Sequence, residues 1–184
     1  MRRSRVPATM DAVVFQPHIS LDALVQGSMV ELFAAYNVAL APLLASRANS
    51  EPVPDVSIGV GFAHAGKVDR GRLTLSLSTV LLDHMQRSEN TSVRVDWARE
   101  LTNQLIGAIK NRLLTFGVTL EVGIPSLIAA RSLERDSGAG NGLRTYAARS
   151  MRGLVLVTLR GVPEDSKLAY VGYMTHPEGS VIWL

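Results

Sequence analysis

Apolar residues in the first half of the chain follow first a helical and then a strand period. From Ser20 to about Leu44 they recur every three or four positions, which predicts an amphipathic helix with Ser20 as its N-cap. In residues 56–62 and 73–77 they alternate with small or polar residues, which is typical of strands with one buried face. The polar segment between them predicts a hairpin.

The second half of the chain predicts two more helices and several strands. The helices cover residues 79–86 and about Val93 to Phe116, where Gly117 provides a C-terminal stop. The polar, glycine-rich segment 134–144 predicts a loop between strands. The strands are predicted at residues 118–124, 126–133, 153–160, 168–174 and 180–184, with Pro125 interrupting the first pair. This order favours an α+β fold, in which long helices pack on one antiparallel or mixed sheet.

Composition and charge favour one globular domain. Of the 184 residues, 47% are hydrophobic and 19% are charged, which is enough apolar material for a sizeable core. We expect a flexible basic tail at residues 1–18 and a single domain at 19–184. Three of the 19 Lys and Arg residues lie in the first five positions, so 16 remain to balance the 16 acidic residues. Because no basic patch is concentrated elsewhere, nucleic acid is not an expected partner.

Several other classes of function are disfavoured by what the sequence lacks. There is no cysteine, which excludes disulfides and thiolate chemistry. His18, His64, His84 and His176 stand in separate segments without metal-ligand spacing, so we expect no resident metal. No apolar run is long enough to span a bilayer, and no apolar run follows the N-terminal arginines as in a signal peptide. The expected location is the cytoplasm.

The long predicted helix carries the candidate chemistry on one face. At about 100° per residue, five residues fall within a sector of about 80°, opposite the apolar stripe. They are Asp96, Glu100, Asn103, Gly107 and Lys110.

These residue types suit a partner-binding surface. A glycine inside a helix costs about 1 kcal/mol relative to alanine, and open space for the backbone of a partner would compensate that cost at Gly107. The Asn103 carboxamide can orient a water molecule, and the Glu100 carboxylate can pair with a lysine. Phosphoryl hydrolysis is a reaction in which such positioning contributes much of the catalysis.

The helix and the segment after it resemble the CheC/CheX/FliY family of chemotaxis phosphatases. The resemblance rests on Asp96, Glu100, Asn103 and Gly107, followed by Pro125 in the segment GVTLEVGIPSLI. It implies a protein-aspartyl-phosphate phosphatase that acts on a CheY-type response regulator in two-component signalling. Asn103 would orient the attacking water and Glu100 would pair with the lysine of the receiver domain. The receiver would supply Mg²⁺, and this chain would bind no cofactor.

The first predicted helix distinguishes between branches of that family. Some members carry a second Glu-x-x-Asn motif there, whereas here Glu31 and Asn37 stand six positions apart. The chain therefore resembles the single-site CheX branch, which implies a possible homodimer. Asp96, Gly107 and Lys110 would contact the receiver.

Other interpretations of the same residues remain open. The protein could be a non-catalytic module that binds a receiver or a flagellar switch component. It could also be a dimeric structural protein joined along sheet edges, with the polar helix face merely solvated. Trp97 beside that face is either a partner contact or an aromatic residue at the edge of the core. Lys110 either steers an acidic receiver or extends its charge from the helix into solvent.

Overall fold

The computed structural model describes residues 19–43, 54–64, 70–87, 90–128 and 143–161. The helices in these ranges are α1 (Leu21–Ala34), α2 (Thr79–Gln86) and α3 (Thr91–Leu114). The strands are β1 (Ala41–Leu43), β2 (Val56–His64), β3 (Arg70–Leu77), β4 (Leu120–Val122), β5 (Ser126–Leu127), β6 (Arg144–Ser150) and β7 (Gly153–Arg160). The tail predicted at residues 1–18, the strands predicted at 168–174 and 180–184, and most of the predicted loop 134–144 lie outside the described residues.

The strands form one seven-stranded sheet, and the α+β prediction is confirmed. The strand order is β1-β6-β7-β3-β2-β4, with β5 also paired to β2. Every pairing among the described strands is antiparallel, so of the two predicted sheet types the antiparallel one is present there. The predicted hairpin is β2–β3, in which Val56 faces Leu77 and Phe62 faces Gly71.

One hydrophobic core lies between the helices and the sheet. Helix α3 packs on β2 and β3, α1 packs on α3 and β6, and α2 packs on α3 and β7. Alternate residues of the strands face this core because successive side chains of a strand point to opposite faces. Its fully buried members include Leu21, Phe33, Ile58, Leu73, Leu75, Leu101 and Leu105. No helix in the described ranges is both long enough and apolar enough to cross a membrane.

Helix α1 ends about ten residues before its predicted end. Asn37 has a φ of 60°, which is left-handed backbone. The Asn37 and Val38 amides donate to the carbonyls of Ala34 and Phe33, both at 3.0 Å, and Val38 is buried. This arrangement is a Schellman motif, which closes a helix and usually includes such an apolar contact. The following residues form the edge strand β1, where Pro42 is tolerated because edge strands leave some N–H groups unpaired.

Helix α3 closely matches its prediction. It begins and ends two residues earlier than predicted, and Gly117 follows its end with a φ of 71°. The Val118 amide donates to Leu113 at 3.1 Å, which closes the helix in the same way as α1.

A side-chain cluster joins the start of α1 to β6. Asp22 Oδ1 accepts hydrogen bonds from Tyr146 Oη at 2.8 Å and from Arg144 Nη1 at 2.9 Å. Burial alone would raise the pKa of Asp22, but the bonds from Tyr146 and Arg144 and the charge of Arg144 hold that pKa below its usual value. Burial, together with the bond to Asp22, raises the pKa of Tyr146.

Candidate functional site

The five residues predicted to share one face of the long helix lie together on α3, and we call them the polar strip. Its members are Asp96, Glu100, Asn103, Gly107 and Lys110. The first three are exposed and the last two are partly exposed. The opposite side of α3 is fixed in the core by Ala98, Leu101, Leu105, Ile109 and Leu113. The sequence therefore placed these residues on the correct side of the helix, while their roles stay predictions.

Helix α3 is held firmly at the end that precedes the polar strip. The Asn90 side chain accepts from the Ser92 amide at 2.9 Å and so caps the helix. Arg94 makes a bidentate ion pair with Asp83 of α2, through its Nε and Nη2 atoms. Bidentate pairs of this kind fix the relative orientation of the two side chains in addition to their electrostatic attraction. The first turns of α3, and with them the strip, are thus fixed against α2.

The space above Gly107 is open. A Cβ atom built at this glycine meets no atom of the described residues within 4 Å, and its backbone has ordinary helical torsions. Gly71 is different, because a Cβ there would come within 2.2 Å of the Phe62 ring. Packing therefore explains Gly71 and does not explain Gly107, which fits the prediction that Gly107 leaves room for another molecule.

Asp96 already has a partner within α3. Its Oδ1 atom accepts from Arg99 Nη1 at 2.8 Å, in an exposed pair three residues apart. Exposed pairs of this kind contribute little to stability. The predicted contact of Asp96 with a receiver would therefore compete with a weak internal pair.

Glu100 is connected to the turn that ends α1 through two side chains that were not among the predicted site residues. Gln104 Nε2 donates to Glu100 Oε1 at 2.8 Å. The Oε1 atom of Gln104 accepts from Tyr36 Oη, also at 2.8 Å. Gln104 stands one turn after Glu100 on α3, so its helical spacing could have suggested that contact. Tyr36 lies 68 positions from Gln104, and no local pattern points to it.

Trp97 lies beside this connection rather than extending into solvent. Its ring is partly buried against the core and meets Tyr36 edge to face, with centroids 5.2 Å apart and planes at 82°. Its Nε1 atom is buried, and no hydrogen-bond partner for it is found among the described residues. This placement favours the reading of Trp97 as an aromatic residue at the edge of the core.

The geometry defines what the polar strip could do chemically. Glu100 and Asn103 stand one turn apart, with a rise of about 4.5 Å between their Cα atoms. A carboxylate and a carboxamide at this spacing can contact two neighbouring groups of one partner, such as an ammonium group and a phosphoryl-bound water. No cluster of three or more His, Cys, Asp or Glu side chains that could hold a metal occurs in the part of the chain described.

An antiparallel sheet of this strand order, packed against these helices, is the fold of CheX-like and CheC-like chemotaxis proteins. The chemotaxis protein CheX from Vibrio vulnificus has a TM-score of 0.60 and 16% identity, over 78% of this chain and 97% of that chain. A CheC-like superfamily protein from Shewanella sp. PV-4 has a TM-score of 0.59 and 19% identity, over 78% and 98%. CheX from Desulfovibrio desulfuricans has a TM-score of 0.58 and 14% identity, over 76% and 97%.

The comparisons confirm the predicted resemblance at the level of structure. Neither family models nor curated protein sequences give a match to the chain. At 14–19% identity the similarity shows the fold alone. A fold does not determine an activity, so only the polar strip of this chain bears on what the protein does.

Proposed function

We propose that the protein is a phosphatase that hydrolyses the aspartyl phosphate of a CheY-type response regulator receiver domain. The observation that carries this proposal is the joint exposure of Glu100 and Asn103, one turn apart on a helix whose opposite face is buried, with open space at Gly107. The fold of CheX-like and CheC-like chemotaxis proteins supports it.

In the proposed reaction, Asn103 orients the attacking water. Its carboxamide oxygen accepts from the water, which turns the oxygen lone pair of the water toward phosphorus. A bond forms between the water oxygen and phosphorus, and the bond between phosphorus and the aspartyl oxygen breaks. The electron pair of that bond stays on the receiver carboxylate, and inorganic phosphate leaves with both protons of the water.

The other strip residues hold the receiver in the proposal. Glu100 pairs with the receiver lysine near the phosphoryl group, and Lys110 attracts acidic groups of the receiver surface. The receiver, which is the substrate protein, binds the Mg²⁺ that neutralises the charge of the phosphoryl group. The proposal places the protein in the cytoplasm as part of a two-component pathway.

The proposal is tested by phosphate release from a panel of phosphorylated receivers. We expect Asn103→Ala to lower the rate above the intrinsic hydrolysis of the receiver about 100-fold, because the water is no longer oriented. Glu100→Ala removes a charge-assisted contact, so a loss of about tenfold or more is expected. The matched controls are Asn111→Ala, about 12 Å further along α3, and Glu121→Ala on β4, both exposed. Neither control should change the rate by more than about twofold.

The results separate catalysis from binding alone. Equal rates for wild type and Asn103→Ala on every receiver would contradict the proposal. Binding of a receiver loaded with a phosphoryl mimic, without faster phosphate release, would instead support a non-catalytic binding module. Circular dichroism of each variant checks that the fold is retained.

A further inference from the structure

We propose that Tyr36 and Gln104 are positioning residues that hold the Glu100 carboxylate in the orientation needed to contact a receiver. The proposal rests on the proposed function, in which Glu100 pairs with the receiver lysine. Its basis is the continuous path from Tyr36 Oη through the Gln104 carboxamide to Glu100 Oε1, with both hydrogen bonds at 2.8 Å.

The charge of Glu100 fixes the direction of both hydrogen bonds. A carboxylate can only accept, so the Gln104 amide must turn its NH₂ group toward Glu100. The amide oxygen then faces Tyr36, whose hydroxyl must donate to it. The reverse amide orientation would set two oxygens against each other at Glu100. The path therefore has one hydrogen-bonding arrangement, and it aligns successive dipoles toward the carboxylate.

Tyr36 is anchored more firmly than an ordinary surface residue. It lies inside the Schellman motif that ends α1, where its amide donates to the Phe33 carbonyl at 3.0 Å. Val38, two positions later, is buried in the core. On its other side the Tyr36 ring meets Trp97 edge to face. The hydroxyl is therefore held relative to α3 by the core as well as by its own hydrogen bond.

This arrangement restrains Glu100 without neutralising it. A neutral amide occupies Oε1, and the described residues place no hydrogen-bond donor on Oε2. Arg99, the nearest cation in the sequence, is engaged by Asp96. Glu100 thus keeps its charge for a partner, while its long side chain is ordered before the partner arrives. Ordering before binding lowers the entropy lost on association.

The proposal predicts that Tyr36→Phe and Gln104→Met weaken receiver contact through Glu100. Tyr36→Phe removes one hydroxyl and keeps the ring against Trp97, while Gln104→Met keeps nearly the same length and loses the amide. We expect each to weaken the binding of a receiver loaded with a beryllofluoride phosphoryl mimic about threefold to tenfold. Phosphate release at low receiver concentration should fall by the same factor. Tyr146→Phe is the matched control, since it removes a hydroxyl bonded to Asp22 and should leave receiver binding unchanged.

A double-mutant cycle distinguishes positioning from a general loss of structure. In a Glu100→Ala background, Tyr36→Phe and Gln104→Met should cause no further loss, because the group that they position is gone. Equal losses in both backgrounds, or no loss in the wild-type background, would overturn the proposal.

Nuclear magnetic resonance tests the contact without any receiver. The Gln104 side-chain NH₂ signals, assigned by their absence in Gln104→Met, should shift in both Tyr36→Phe and Glu100→Ala. Signals that stay unchanged in both variants would overturn the proposal whatever the activity. A wild type that neither binds nor dephosphorylates any receiver, with these shifts present, would instead contradict the proposed function and with it the role of this contact.

Discussion

At the scale of single residues, Gly107 is notable because the fold does not need it. Its backbone is helical, and in the part of the chain that the structure describes a Cβ there would meet no atom within 4 Å. Alanine is the better helix former, so Gly107→Ala should raise the free energy of unfolding by about 0.5–1 kcal/mol, measured by urea denaturation. Gly27→Ala in α1 is the comparison, where the new Cβ would lie 3.1 Å from Arg112 Nη1 and the gain should be smaller.

A larger side chain at the same position separates stability from docking. Gly107→Leu should fold as stably as wild type and yet weaken binding of a phosphoryl-mimic receiver about tenfold or more, since its side chain projects into the space left for the partner. Binding titration measures this loss. Unchanged affinity would mean that the open space above Gly107 is not part of the docking surface.

Asp22 makes stability depend on pH in a predictable direction. Because the folded-state pKa of Asp22 is lowered, its contribution is present above the unfolded-state pKa of about 3.9 and is lost as the pH falls through the folded-state pKa. Its side chain is 52% exposed, so solvent screening limits the contribution to about 0.5–1 kcal/mol. Asp22→Asn should therefore destabilise at pH 7, and its difference from wild type should diminish as the pH falls from 7 to about 3 and below.

The measurement for Asp22 is urea denaturation of both proteins across that pH range. Asp96→Asn is the control, because Asp96 is an exposed carboxylate whose contact with Arg99 lies within one helix. Its effect on the free energy of unfolding should stay near zero at every pH. A constant difference between wild type and Asp22→Asn from pH 7 to pH 3 would contradict the assignment.

At the scale of elements, the turn between β6 and β7 meets the start of α2. Gly153 has a φ of 138°, and a Cβ there would lie 2.0 Å from Ser78 Oγ. Ser78 is the N-cap of α2, and its Oγ accepts from the Leu81 amide at 3.3 Å. Gly153→Ala should therefore strain the turn and displace the cap, lowering the free energy of unfolding by about 2–3 kcal/mol.

Thermal or urea denaturation of Gly153→Ala checks this prediction, with Gly61→Ala as the control. In β2, a Cβ at Gly61 would meet its nearest atom at 4.0 Å, and the backbone has no positive φ. That control should change the free energy of unfolding by less than about 0.5 kcal/mol. Similar effects at both glycines would show that the contact with Ser78 is not what Gly153 accommodates.

Elements with a strong local pattern could be predicted from the sequence, and those specified by their neighbours could not. The alternation in β2 and β3 and the helical period of α3 gave those elements directly. The helical period of apolar residues in α1 continues to Leu40, past the end of the helix. The helix stops at the left-handed backbone of Asn37, and the sequence does not signal this stop because the residue is not a glycine. Strand β6 was missed because Tyr146, Ala147 and Ala148 follow one another, so apolar and polar residues do not alternate in its sequence. It is a strand because β1 and β7 pair with it on both sides.

At the scale of the whole molecule, the polar strip could be predicted because it depends on one helix. Helical geometry alone sets which of its side chains share a face. The path from Tyr36 to Glu100 could not be predicted, because it depends on how α1 and α3 pack. Likewise, the resemblance in a few residues predicted a fold that then covered more than three quarters of the chain.

Because the polar strip lies on a single helix, it could also be transferred to another protein. The spacing of Glu100, Asn103 and Gly107 is set by backbone hydrogen bonds within α3, so substitutions in the sheet can accumulate without altering that spacing. The same segment grafted onto another stable helix would keep its register. It would lose the Arg94–Asp83 ion pair with α2 and the hydroxyl that Tyr36 supplies from the turn that ends α1. A graft would therefore have to rebuild two contacts from neighbouring elements, the tyrosine hydroxyl that orders Glu100 and the carboxylate that holds Arg94.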